Sequence, residues 1–288
     1  MYPARFEYVR PESLDEAVAA LGGDGDAKVL AGGMSLIPLM KLRFAAPAKL
    51  VDINRIAGLD GLAEDGGRLR IGALVRHKTC ERSQLLRGRY GVLGDAARQI
   101  ADPIVRNLGT VCGSLAHADP AGDWGSALLA LRAEVVAQGP DGERTIPIDE
   151  LFVGPFTTSL RPGEILVEVR VRDAAAKAGG AYVKLERKVG DFATAAVGVH
   201  LSFSNGTVQR AGIGLTAVGP TNLRAAAAED ALGGQALDDA SIQAASRLAA
   251  EAAQPIEDVR GGVEFKRDVV RVLTARAIRR AAEVAKAA

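Results

Sequence analysis

The stretch TVCGSLAHADPAGDW, residues 110–124, gathers two hydroxyl side chains, a histidine, two carboxylates and the only tryptophan around a nearly bare backbone. Three kinds of chemistry suit it: a metal site on His117, Asp119 and Asp123, a cradle for a phosphorylated cofactor, or a plain loop entering a helix. A second bare stretch, AGGMSLIP at residues 31–38, follows a strand-like AKVL. Unencumbered backbone can approach an anion closely, and consecutive N–H groups in a turn converge on phosphate oxygens. Two such segments can hold the two phosphates of one pyrophosphate, with Ser35, Thr110 and Ser114 adding hydroxyl donors. Hydrogen bonds to a charged acceptor contribute roughly 1.5–3 kcal/mol each, so four or five would supply much of a tight affinity.

The competing readings are weaker. His-x-Asp-x3-Asp is not a recurrent metal-ligand spacing. Gly32-Gly33 or Gly113 taken alone suits an ordinary turn, but the two segments together favour phosphate. Neither G-x-G-x-x-G between strand and helix nor G-x-x-x-x-G-K-[ST] occurs, so the common dinucleotide and P-loop fingerprints are excluded. His77 and His200 read as packing or surface residues, and Trp124 as packing at a helix start. No Ser-His-Asp, Cys-His or paired-carboxylate set is legible, and the basic C-terminal segment reads as a solvated helix face.

Three stretches must position these groups. In residues 1–57, Ser13 and Glu16 stand at capping-box spacing before the helix SLDEAVAAL, and AKVL and KLVDI read as strands around a short helix MSLIPLMKLR. In residues 58–174, RLRIGAL reads as a strand, GVLGDAARQIAD and GSALLALRA as helices, and AEVVAQ and RTIPI as a hairpin. In residues 175–288, AYVKLERK, TAAVGVHLSF and TVQRAGIGLTAV read as three antiparallel strands, the last two joined at Asn205-Gly206, with three alanine-rich helices after Pro220.

With 36 basic and 35 acidic residues the net charge is +1, so nothing calls for nucleic acid or an anionic membrane as partner. The N-terminus lacks the apolar run of a secretion signal and no run approaches the roughly 20 residues of a membrane span, which predicts a cytoplasmic protein. Cys80 and Cys112, the only cysteines, are too few for an iron–sulfur cluster or a zinc site.

AGGMSLIPLMKLR and RNLGTVCGSLAHADPAGD resemble the two FAD-binding segments of the flavoprotein (medium) subunits of the molybdenum hydroxylases, the family of xanthine dehydrogenase and aerobic carbon monoxide dehydrogenase. AYVKLERKVGDFATAAVGVHL and AGIGLTAVGPT are similar to that family's C-terminal domain. The resemblance runs from Phe6 to the last helix. It implies an α+β fold: a two-part FAD-binding domain of the vanillyl-alcohol-oxidase (PCMH) type, then a C-terminal domain of three-stranded antiparallel sheet plus helices. It also implies that Gly32, Gly33, Met34, Ser35 and Leu36 form the first pyrophosphate loop, with Lys28, Val29, Leu30 and Ala31 passing the adenine. Gly109, Thr110, Val111, Cys112, Gly113 and Ser114 would form the second loop, with His117 nearby and Cys112 where the family usually has glycine. Asp123 would accept from the ADP portion, Ile100 and Leu160 would pack on flavin or adenine, Lys184 would reach the flavin, and Phe192 would stack beside it.

The function so implied is electron transfer on noncovalent FAD, with no side chain acting as acid, base or nucleophile and no metal on this chain. A small partner would carry two [2Fe–2S] clusters and a large one molybdopterin, in a dimer of heterotrimers that delivers electrons to an external acceptor. The patterns AGGxSLIPxMK and KxGDxATAA lean toward the carbon monoxide dehydrogenase branch. Two other readings stand beside this one: a stand-alone flavin oxidase, and a scaffold that has lost its cofactor.

Overall fold

A computed structural model describes residues 2–22, 26–172, 175 and 177–287 of the chain. In the first unit, β1 (Glu7–Val9), α1 (Leu14–Leu21), β2 (Ala27–Leu30), α2 (Leu36–Lys41) and β3 (Lys49–Asp52) form a small parallel sheet in the order β1-β3-β2. Ser13 caps α1 by accepting from the Glu16 N–H, while the Glu16 carboxylate accepts the N–H of Glu12, one residue before the cap, rather than that of Ser13, so only the serine half of the expected box forms. Ala17, Val18 and Leu21 then turn inward. β1 escapes sequence reading because three residues, two of them exposed, carry no usable alternation.

The second unit runs through β4 (Leu62–Asp65), β5 (Arg68–Gly72), α3 (His77–Arg82), α4 (Gly91–Gln99), α5 (Pro103–Leu108), α6 (Val111–His117), α7 (Asp123–Leu131), β6 (Glu134–Gly139) and β7 (Gly142–Pro147). After α8 (Ile148–Leu151), β8 (Phe152–Gly154) and β9 (Thr157–Thr158), the strand β10 (Ile165–Arg172) returns to the middle of an antiparallel sheet ordered β4-β5-β10-β6-β7. The segment expected as a second loop is a helix instead. Thr110 is its N-cap, its Oγ1 accepting the Gly113 N–H at 3.1 Å, and the helix ends where Ala118 turns left-handed at φ 53°.

In the third unit β11 (Ala178–Leu185), β12 (Ala195–Ser204), β13 (Thr207–Thr216) and β14 (Leu223–Arg224) pair antiparallel in sequence order, followed by α9 (Ala226–Leu232), α10 (Asp239–Ala252) and α11 (Val263–Ala287). The sheet therefore has four strands rather than three, the extra one only two residues long. Asn205 and Gly206, at φ 51° and 82°, make the β12–β13 turn. The boundary expected after residue 174 falls on a residue outside the described ones.

What positions the site is α7, every residue of which is buried. One side packs into the core of the second unit around Trp124, and the other meets the third unit's sheet. That approach needs glycine: a Cβ on Gly214 would stand 2.1 Å from the Ser126 carbonyl oxygen. A second core of Val199, Leu201, Ile213, Val270 and Ile278 fills the opposite face of the sheet, under α10 and α11. α7 is thus wedged between two sheets, and its first residue, Asp123, is carried to the place where all three units meet.

Candidate cofactor site

A cleft of about 1150 Å³ opens there, predominantly apolar in lining. Lys28 through Leu36, Ile100, Gly109, Thr110, Cys112, Gly113, Ser114, His117, Asp123, Leu160, Lys184 and Phe192 all line it. Val111 does not: as the first residue of α6 it is fully buried and packs into the core. Cys112 keeps only 2 % of its surface exposed and belongs to the same core, so the cysteine does not fill the cleft where a glycine was expected. Burial pushes its thiol, and that of Cys80, above the ordinary range, so neither is a thiolate.

The first glycine segment is a bare turn. Gly33 sits at φ 72°, and among the described residues no hydrogen bond takes the N–H of Gly32, Gly33, Met34 or Ser35. Four successive N–H groups, three on half-buried residues and one on exposed Ser35, are thus left available to an anion. Ser35 leads into α2 without capping it by its own side chain, so its hydroxyl is not consumed by a helix end. Beside this turn lies the start of α6. The Gly113 N–H is spent on the Thr110 hydroxyl oxygen, which removes that N–H from the donors of the second segment, while the Thr110 hydroxyl, accepting there, keeps its own proton to donate.

His77 forms part of the floor, a residue whose spacing gave no hint of it. Trp124 Nε1–H donates to His77 Nδ1 at 3.0 Å across 47 residues of sequence, which leaves the ring proton on Nε2, beside Gly109. Burial, helped by Arg106 and Arg76, pushes His77 down to about 4, so it is a neutral donor at neutral pH. Arg161 and Gly163, between β9 and β10, also line the cleft and carry no recognisable signal.

The three groups of the metal reading separate. Asp123 accepts from the Tyr182 hydroxyl at 2.7 Å and from Lys184 Nζ at 3.1 Å, Asp119 turns back on the Ala121 N–H, and the His117 ring lies 5.2 Å from that of Phe156. Among the described residues no group of three His, Cys, Asp or Glu gathers as metal ligands. Asp123 and Lys184, both at the cleft, are ion-paired with each other. Burial pushes the Asp123 carboxyl up, against the pull of Lys184 and Tyr182. Lys184 also donates to the Gln99 carbonyl at 3.0 Å, so β11 is tied to the end of α4 and to the start of α7 through one ammonium.

Phe192 is 53 % exposed on the cleft rim, free to stack on a planar ring, while Ile100 and Leu160 present half-buried apolar surface. Three features suit a dinucleotide: a turn of free N–H groups, a mainly apolar lining, and a buried lysine–carboxylate pair at the cleft.

Residues 4–171 match the family described as FAD binding domain in molybdopterin dehydrogenase, and residues 180–281 the CO dehydrogenase flavoprotein C-terminal domain. The carbon monoxide dehydrogenase medium chain of Hydrogenophaga pseudoflava is 44% identical over 96% of this chain and 97% of its own length. Subunit alpha of the 6-hydroxypseudooxynicotine dehydrogenase complex of Paenarthrobacter nicotinovorans is 39% identical over 98% and 96%. A solved structure of carbon monoxide dehydrogenase from Hydrogenophaga pseudoflava superposes with a TM-score of 0.95 at 46% identity, covering 99% of both chains. The chain belongs to the FAD-binding medium-subunit family of the molybdenum hydroxylases, which are oxidoreductases.

Proposed function

We propose that this chain holds one FAD noncovalently in the cleft and serves as the electron outlet of a cytoplasmic molybdenum hydroxylase. Bound FAD supplies a redox carrier that can accept electrons from one-electron donors and hand them on in pairs. The chain's own residues bind and orient it. The observation that carries this reading is the run of four unpartnered N–H groups from Gly32 to Ser35, set beside Gly109–Ser114 in a mainly apolar cleft. Phe192 covers the flavin face, the Lys184–Asp123 pair stands beside the ring, and Lys28–Ala31 passes the adenine.

In this reading the electrons come from [2Fe–2S] clusters of a small subunit, a large subunit oxidises the substrate at molybdopterin, and two such heterotrimers pair. An external acceptor collects the electrons. The two cysteines of this chain are buried thiols, which supports placing the clusters on a partner. Relatives named for carbon monoxide and for 6-hydroxypseudooxynicotine are similarly close, which supports placing substrate choice outside this subunit.

The test is a reconstitution. The complex should release about one equivalent of FAD on denaturation, and the isolated flavoprotein, reduced chemically, should reoxidise with an acceptor yet oxidise no organic substrate. Adding the cluster-bearing and molybdopterin-bearing subunits should restore substrate-driven bleaching of the flavin. Substrate turnover by the isolated chain at the rate of the complex would instead make it a stand-alone oxidase, and folded protein that takes up no flavin would make it a scaffold.

A further inference from the structure

Behind the two glycine segments runs a continuous chain of polar groups that crosses from the first unit to the second. Tyr8 donates its hydroxyl to Asp52 Oδ2. Asp52 Oδ1 accepts both the backbone N–H of Asn54, at 2.9 Å, and its side-chain Nδ2–H, at 2.6 Å. The same Nδ2 donates to the Ala31 carbonyl at 2.8 Å, and Asn54 Oδ1 accepts from Arg76 Nη2 at 2.6 Å. Arg76 Nη1 then donates to the Leu108 carbonyl.

Both ends of this chain stop at one kind of place. Ala31 immediately precedes Gly32, and Leu108 immediately precedes Gly109. Those glycines touch: a Cβ on Gly32 would lie 2.3 Å from the Leu108 oxygen and 2.7 Å from the Gly109 Cα. Arg76 is held in turn by its own backbone neighbours, since the His77 N–H donates to the Gly109 carbonyl and the Val111 N–H to that of Val75. No other side chain among the described residues hydrogen-bonds the main chain of both segments through so few links.

We infer that Asn54 and Arg76 are positioning residues that fix the separation of the two glycine segments, and through it the affinity of the cleft for a diphosphate. The inference rests on the FAD reading above. Neither residue lines the cleft, so neither touches the ligand. The Asn54 amide must present its NH₂ to two acceptors and its oxygen to a donor, an orientation fixed by Asp52. Arg76 must reach two oxygens with two N–H groups of one rigid plane, which an ammonium cannot do. Losing the clamp frees the 31–35 turn to drift from the start of α6, so donors that must converge on one ligand cease to converge.

The test is titration of the deflavinated full chain, and of the assembled complex, with FAD and with ADP as a diphosphate lacking the flavin. Asn54→Asp keeps shape but turns the amide donor into an acceptor facing the Ala31 carbonyl and the Asp52 carboxylate. Arg76→Lys keeps charge but loses the fork. Each should weaken FAD and ADP alike by roughly tenfold or more, with the thermal midpoint of the unliganded chain shifted far less than that of the liganded one. The double variant Asn54→Ala/Arg76→Met should be little worse than Asn54→Ala or Arg76→Met alone, because the two act through one chain of bonds. Wild-type affinity in Arg76→Lys would overturn the fork argument, and strictly additive losses would overturn the shared clamp. Wild-type protein that binds neither FAD nor ADP would overturn the site reading itself, a separate result from variants that bind as well as wild type.

Discussion

Gly32 and Gly109 come from different units and meet with no room for a methyl group between them, the added Cβ of Gly32 falling 2.7 Å from the Gly109 Cα. Gly33, by contrast, is constrained by conformation: it sits at φ 72°, and its added Cβ meets the mobile tip of the Ile37 side chain at 2.8 Å. Gly32→Ala must push backbone against backbone and separate the two segments. Gly33→Ala faces a left-handed conformation costing about 1–2 kcal/mol and a side chain that can yield. FAD content per chain, measured by absorbance after gel filtration, is expected to fall strongly in Gly32→Ala and less in Gly33→Ala. Equal retention of flavin by both would remove the segment contact from the account of binding.

The Asp123–Lys184 pair is buried on both sides, the lysine side chain 1 % and the aspartate 7 % exposed. Removing one partner strands the other. Lys184→Met is therefore expected to destabilise the chain by about 3–5 kcal/mol, and Lys184→Met/Asp123→Leu by less than the single change, since the buried Asp123 carboxylate is removed with its partner and only the partly exposed Glu186, 3.6 Å from Lys184, is left without it. Urea unfolding of the unliganded proteins checks this. A double variant worse than Lys184→Met would show that the carboxylate earns its place through Tyr182 rather than through the lysine.

Much of this architecture is legible in the sequence because it is local. Ser13 caps α1, Asn205-Gly206 turns the hairpin, and the glycine segments stand out as bare backbone before helical turns. What escapes is long-range pairing. Nothing in HKTCER reports that His77 receives the Trp124 indole N–H, nothing near Asn54 reports Arg76, and Asp123 and Lys184 meet across 61 residues. Thr110–Ser114 reads as a loop because Gly113 suggests a break, yet a threonine cap and a left-handed exit at Ala118 suffice for two turns of helix. β14 is invisible for a different reason: two residues carry no period.

His77 and His200 are both buried and both pushed down to about 4 from the ordinary 6.5, burial being the main cause. Between those values the unfolded chain binds protons that the folded chain does not. Stability is therefore full above about pH 6.5, declines as pH falls through the window, and has lost the whole contribution below about pH 4, on the order of 3 kcal/mol per histidine. Among the described residues His200 Nε2 has no hydrogen-bond partner, so replacing that ring sacrifices no bond at this atom. Urea midpoints at pH 7, 5.5 and 4.5 are expected to fall less steeply in His200→Leu than in wild type. Identical pH profiles would show that His200 protonates freely in the folded chain.

Phe192 tests the orientation of the ligand in the cleft rather than its presence. The ring is 53 % exposed, its N–H is taken by the neighbouring Asp191 carboxylate, and Arg260 holds that carboxylate at 2.9 Å. The backbone is therefore anchored independently of the ring, and truncating the ring should leave the fold intact. If the flavin lies under β11 and this loop, Phe192→Ala should weaken FAD by about three- to tenfold, the worth of one stacked aromatic pair, and leave ADP affinity unchanged. Phe192→Trp should retain FAD binding. The ligand pair makes the result decisive. Equal losses for FAD and ADP would place the adenine, not the flavin, beside Phe192 and reverse the cofactor in the cleft, and no loss for either would remove Phe192 from the site.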